Sequence, residues 1–106
     1  MNTVKLGAAW AGVGLALASA AVQAADGAAI ARANNCMTCH GVETRKMMGP
    51  SFKEIANRYR GKNVEAAMID KIKNGGSGVW GPVAMPAQPQ LSDADARAIA
   101  KWMLAR

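Results

Sequence analysis

Histidine occurs once in this 106-residue chain, cysteine twice, and phenylalanine and tyrosine once each. Each scarcity removes a class of chemistry. A structural zinc site needs four closed ligands, and two Cys with one His leave carboxylates to complete the set. Cys36 and Cys39 have only two residues between them, so they cannot tie distant segments together. A disulfide joining them would close a tight ring that stabilises little. A dithiol of the thioredoxin kind needs a βαβ scaffold and a longer chain. Basic residues stand singly or in pairs such as Arg45-Lys46, with no basic run interleaved with aromatics, so nucleic-acid binding is not expected. No repeat, no low-complexity segment after the N-terminal stretch and no convincing strand pattern is present.

What is present begins with a leader. Lys5 supplies a short positive region, Leu6 to Val22 is an apolar run rich in Ala and Gly, and Val22-Gln23-Ala24 places small residues where a signal peptidase reads. Residues 1–24 are expected to be a secretory signal peptide, and residues 25–106 the domain. The run is short and poor in bulky side chains for a retained membrane anchor, so no stable membrane insertion is expected after cleavage. Export directs the chain to the periplasm. The 82 residues left of the 106 make one small domain with a thin core, which calls for a staple such as a cofactor. Losing Lys5 takes the formal charge from +6 to +5, a balance suited to docking on acidic protein patches.

Four helices are expected. The first runs from Asp26 or Gly27 to Asn34, Ala-rich, with Ile30 its main apolar residue. The second starts at Ser51, where Ser51-Phe52-Lys53-Glu54 has the form of a capping box. It carries Phe52, Ile55, Ala56 and Tyr59 on one face and closes at Gly61. The third starts near Asn63 as a cap, with Val64, Met68, Ile69 and Ile72 as its buried stripe, and stops at Asn74-Gly75-Gly76. The fourth starts at Ser92 with Asp93 and Asp95 in its first turn, and turns Ile99, Trp102 and Met103 inward. Between the last two lie 17 residues, Gly75 to Leu91, with Pro82, Pro86 and Pro89. No helix or central strand tolerates that density. Its apolar residues, Trp80, Val83, Met85 and Leu91, predict that it is ordered against something. Gly75-Gly76-Ser77-Gly78 lacks the lysine and the preceding strand of a phosphate loop, and reads as a cap and turn.

Cys36-Met37-Thr38-Cys39-His40 is the C-x-x-C-H pattern of covalent haem attachment. On one helical turn the two thiols face the same side and can add to two vinyl groups along one porphyrin edge. The next residue, His40, comes round beneath the ring to reach iron. Being the only histidine, it excludes a bis-His centre. The sixth position then belongs to another side chain, to water, or to nothing. Met37 lies within the attachment loop. Met47 and Met48 follow His40 too closely, and Met68 and Met103 lie on helix faces where methionine fills a core. Met85 differs: it lies 45 residues beyond His40 in the irregular segment, with Pro82 and Pro86 about it, where rigid backbone can hold a sulfur without helical support. It is the candidate axial ligand. His/Met ligation closes both axial positions, which leaves outer-sphere electron transfer and no substrate site. The competing reading is a haem enzyme or gas-binding protein with an open sixth position.

Taken with Met48-Gly49-Pro50, Ile72-Lys73-Asn74-Gly75, Val79-Trp80-Gly81-Pro82, Met85-Pro86 and Ala100-Lys101-Trp102, the attachment motif resembles that of class I c-type cytochromes. The resemblance is strongest to the small bacterial monohaem type, the cytochrome c-five-fifty-one group, and covers essentially all of the chain after the leader. It implies an all-α class I cytochrome c fold of about four helices around one covalently bound haem c. It also implies that the Pro50 carbonyl accepts from the proximal His40, that Trp80 donates to a haem propionate and that Lys71 contacts the propionates. Trp102 would pack between the first and last helices. Gln88 stands where relatives often have an asparagine that hydrogen-bonds the ligand sulfur, and Ala31 where an aromatic is common. The implied function is not enzymatic. It is the shuttling of electrons, as a monomer, between a membrane quinol-oxidising complex and terminal oxidases or reductases, through redox partner proteins.

Overall fold

The computed structural model describes residues 27–106, with Thr3, Gly7 and Gly12 as isolated points before them. Apart from those points, the expected leader at residues 1–24 lies outside the described residues, as does the Asp26 cap. The described residues form an all-α domain, as expected. The helices are α1 (residues 27–33), α2 (Phe52–Tyr59), α3 (Glu65–Asn74) and α4 (Asp93–Leu104), with a single 3-10 turn at Cys36–Thr38. The one extended pairing among the described residues is an isolated antiparallel bridge between Gly76 and Met85. No helix of the described residues is long and apolar enough to cross a membrane.

The start of α2 follows from local chemistry. Ser51 holds extended angles; its Oγ accepts from the Glu54 N–H at 3.1 Å, and Glu54 Oε2 accepts from the Ser51 N–H at 3.0 Å. Two orphan donors of the first turn are thus satisfied reciprocally. Ser51 is fully buried, and its hydroxyl donates in turn to the Glu43 carbonyl at 3.1 Å. At the far end, Gly61 takes φ +75°, the left-handed conformation that lets the chain leave the helix. Ser92 caps α4 in the same way, accepting from the Asp95 N–H at 3.1 Å.

Helix α3 departs from expectation. It begins at Glu65, Val64 occupies the cap position, and no side chain caps it. Asn63 is exposed and stands outside the helix. The turn out of α2, closed by the Lys62 N–H to the Tyr59 carbonyl at 2.9 Å, sets the register here. Of the expected stripe only Ile72 is buried; Val64, Met68 and Ile69 are half-buried.

Helix α4 is the centre of the core. Ala96, Ile99, Ala100 and Met103 are buried along it, and it packs on both α3 and α2. One side meets Ala31, Ile72 and Leu91; the other meets Phe52 and Ile55. Each large side chain so buried contributes about 1.5–3 kcal/mol. Helix α1 crosses α4 at Gly27. A Cβ there would come within 2.6 Å of the Trp102 Cβ and closer still to the Ala98 carbonyl, so the crossing needs glycine. Trp102 therefore does lie between the first and last helices, and its indole meets Phe52 edge-on with centroids 5.2 Å apart.

Candidate haem site

After α1 the chain reverses through Asn35, whose φ of 61° is one that asparagine tolerates better than most residues. The 3-10 turn follows, with the Cys39 and His40 N–H groups both donating to the Cys36 carbonyl, at 3.3 and 3.0 Å. This one turn brings Cys36, Cys39 and His40 into the wall of a single cavity of about 700 Å³. That size lies in the ordinary range for an organic ligand, about 300–1,000 Å³. Both cysteines are free thiols and half-buried. Burial pushes the Cys36 thiol above its usual range, its own backbone hydrogen bond opposes this, and the neighbouring Cys39 adds to it.

The imidazole of His40 is held on several sides. Its Nδ1 lies 2.7 Å from the Pro50 carbonyl oxygen. A carbonyl only accepts, so this contact puts the proton on Nδ1 and leaves the lone pair on Nε2. The Phe52 ring stacks on it, with centroids 5.2 Å apart and planes inclined by 19°. Gly49 presses on it too: a Cβ there would lie 2.6 Å from Cε1 and 2.9 Å from Nδ1. The segment carrying Gly49 and Pro50 is tied back by backbone bonds, Gly49 N–H to the Cys39 carbonyl at 2.9 Å and Phe52 N–H to the Gly41 carbonyl at 2.8 Å.

The irregular segment 75–91 supplies another part of the wall; of its apolar residues Leu91 is buried and Met85 half-buried, whereas Trp80 and Val83 are exposed. Gly76 and Met85 exchange backbone bonds of 3.0 and 2.8 Å, and the Gly78 N–H donates to the Gly81 carbonyl at 2.8 Å, making a short hairpin. Gly75, at φ +69°, sits against the Met85 carbonyl so closely that a Cβ would collide with it. Met85 is half-buried, packs on the Ile72 cluster and lines the cavity. Pro50, Lys71 and Trp80 line it as well. The Lys71 ammonium lies beside Gly76, where a Cβ would approach Nζ to 2.7 Å.

Gln88 is not among the lining residues. Its Oε1 accepts from Gln90 Nε2 at 2.6 Å, and its backbone N–H is shared between the Ile72 and Lys73 carbonyls at 3.2 and 3.1 Å. Met47, Met48, Met68 and Met103 also face the cavity, whereas Met37 packs into the core. Met48 is 67 % exposed, and its Sδ lies 3.9 Å from the Cys39 Sγ.

Three features escaped the sequence reading: the Gly49 seat, the stacking of Phe52 on His40, and Arg58. The Arg58 guanidinium carbon lies 4.5 Å from the Trp80 ring centroid, and Nη1 donates to the Val79 carbonyl at 3.1 Å. The tight Met48-Gly49-Pro50 spacing was a signal for the first; the other two depend on contacts between separate parts of the chain.

An apolar cavity with two thiols from one turn, an imidazole lone pair, thioethers and a lysine at its wall fits haem. These features define a small all-α protein that attaches haem covalently. Comparison with known proteins carries this further. A protein-family model described as cytochrome c matches residues 24–106. The chain is 50 % identical over 76 residues to a cytochrome c-552 of Nitrosomonas europaea, covering 71 % of this chain and 73 % of that one. It is 43 % identical over 72 residues to a cytochrome c-551 of Pseudomonas aeruginosa, covering 67 % of each. The crystal structure of wild-type Nitrosomonas europaea cytochrome c552 superposes with a TM-score of 0.69 at 48 % identity, covering 74 % of this chain and 96 % of that one. The chain belongs to the cytochrome c family, among its small class I monohaem members. Its cofactor is one covalent haem c, and Cys36 and Cys39 are the two cysteines it has for attachment.

Proposed function

We propose that this protein is a periplasmic carrier of single electrons, exported by residues 1–24 and working as a monomer without membrane insertion. It would pass electrons from a membrane quinol-oxidising complex to terminal oxidases or reductases. In this reading Cys36 and Cys39 would hold the haem covalently, and His40 Nε2 and Met85 Sδ would bind its iron. The observation that carries the reading is that His40 and Met85, 45 residues apart in sequence, wall the same apolar cavity.

Haem iron supplies a one-electron couple when bound. The protein's own residues do the rest. The Pro50 carbonyl fixes the His40 tautomer and orients the ring, and it raises the basicity of Nε2. Phe52 and Gly49 stop the imidazole from tilting. Gly76 holds the Met85 backbone by two bonds, so the sulfur is presented without a helix. Trp80 and Lys71 are assigned to the haem propionates, and Lys71 offsets their charge. Gln88, which does not line the cavity, receives no role at the sulfur. A site held this firmly changes little when its charge changes, which favours electron transfer over substrate chemistry. The protein is therefore read as a carrier and not an enzyme.

Met85→Ala tests the assignment. Oxidised holoprotein with this substitution is expected to lose the long-wavelength sulfur-to-iron absorption band and to gain an open position. Retention of the band in Met85→Ala sinks the assignment.

A further inference from the structure

The hairpin at residues 76–85 carries Met85 and Trp80 and lines the cavity along its length. The backbone bonds of residues 76–85 stay within the hairpin. Among the described residues, only Arg58 hydrogen-bonds to residues 77–84 from outside the hairpin, through Nη1 to the Val79 carbonyl at 3.1 Å. The same guanidinium lies over the Trp80 ring at 4.5 Å. It also reaches towards the neighbouring Tyr59 ring, at 5.8 Å. Arg58 sits in the last turn of α2, the helix whose N-terminal Phe52 backs His40. The contact thus joins the element that supports one side of the cavity to the loop that forms another.

Arginine suits this task and lysine does not. Its planar fork stacks flat on an indole and still directs an N–H at a carbonyl, two contacts at once from one rigid group. Lysine offers a point charge on a flexible stem. Neighbouring Arg60 is no substitute, because its Nη2 donates to Asn57 on its own helix.

We propose that Arg58 is a positioning residue: its guanidinium clasps Trp80 and Val79, holds the hairpin tip against α2, and so keeps Met85 in place and the cavity closed to outside ligands. The proposal rests on the reading of Met85 as the axial ligand. Opening of the hairpin in native protein is then a local event, cheaper than global unfolding, whose frequency Arg58 sets.

The test uses holoprotein and three variants, Arg58→Met, Arg58→Lys and Arg60→Met. Two quantities are read: amide hydrogen exchange in the reduced protein, and binding of imidazole to the oxidised protein. In Arg58→Met the Gly78 and Met85 amides should exchange roughly tenfold faster, while the Ile99 amide in α4 is unchanged. Imidazole should bind more tightly by a similar factor, because it binds only the open hairpin and its apparent affinity rises with the open population. Arg58→Lys should recover only part of the effect, and Arg60→Met should match the wild type. Unchanged hairpin exchange in Arg58→Met overturns the clasp. So does an equal rise at Ile99, which marks general destabilisation, and so does unchanged imidazole affinity. Failure of the Met85 reading appears elsewhere, as a sulfur-to-iron band that survives Met85→Ala with Arg58 intact.

Discussion

Gly49→Ala places a single methyl against His40 and so tests whether the imidazole seat is as tight as its geometry says. Gly49 does not use a positive φ, so alanine meets no backbone strain there. The new Cβ would lie 2.6 Å from Cε1, 2.9 Å from Nδ1 and 3.2 Å from Nε2. Carbon atoms sit at about 3.5–4.0 Å in good contact, so ring and backbone must separate by roughly 1 Å. Phe52 stacks on the ring, and the 2.7 Å bond to Pro50 tethers its edge, so any escape stretches that bond. Losing it costs about 0.5–1.5 kcal/mol. Crowding a packed site costs about 1–3 kcal/mol more. The stiffer unfolded chain returns about 0.4–1 kcal/mol. The net loss centres on about 2 kcal/mol, which in a domain of this size lowers Tm by roughly 10–15 °C. Thermal unfolding of oxidised holoprotein followed by circular dichroism reads it. The reduction potential should rise as well, because an imidazole without its Nδ1–H bond donates less well to ferric iron. A Tm within about 2 °C of wild type, with an unchanged potential, would mean that His40 has room to move and that the seat does not orient it.

Two further predictions concern the frame. Ser51→Ala removes a buried hydroxyl that both caps α2 and donates to Glu43, and should cost about 1–2 kcal/mol in guanidinium unfolding; Ser92→Ala, an exposed cap, should cost nearer 0.5–1 kcal/mol. The Lys73 ammonium beside Asp93 holds its carboxyl below the usual carboxylate range, chiefly by a hydrogen bond and then by charge. A carboxyl with a lowered folded pKa stabilises above its unfolded pKa, about 3.9, and that contribution is lost as pH falls through the folded value. Asp93→Asn should therefore flatten the fall in Tm below about pH 4 and leave the shape of the curve above pH 5 unchanged, as pH-dependent calorimetry would record.

Much of the frame was legible because its signals are local. Ser51 and Glu54 are three residues apart and meet through bonds of the first helical turn, so the start of α2 could be read directly. Asn63 shows the limit of the same rule. Its side chain can cap, but the turn closed by Lys62 and Tyr59 starts α3 two residues later. The attachment turn was legible because the spacing in Cys36-Met37-Thr38-Cys39-His40 is itself the geometry. In segment 75–91 the packing of Met85 and Leu91 followed from their apolar side chains, but the exposure of Trp80 and Val83 and the pairing of Gly76 with Met85 did not, since nothing in composition marks a two-residue bridge. Arg58 and Trp80, 22 positions apart, meet only because α2 and the hairpin tip converge. Gln88 was noted only for its family position; it does not line the cavity, and its Oε1 accepts from Gln90.

The proposed carrier function requires that His40 and Met85 together leave the haem iron no open position. Adding carbon monoxide to the reduced native holoprotein at neutral pH tests it most directly. No change in the Soret band on the seconds timescale is the predicted result; prompt formation of a carbon monoxide complex would contradict it and return the protein to the class of open-site haem proteins.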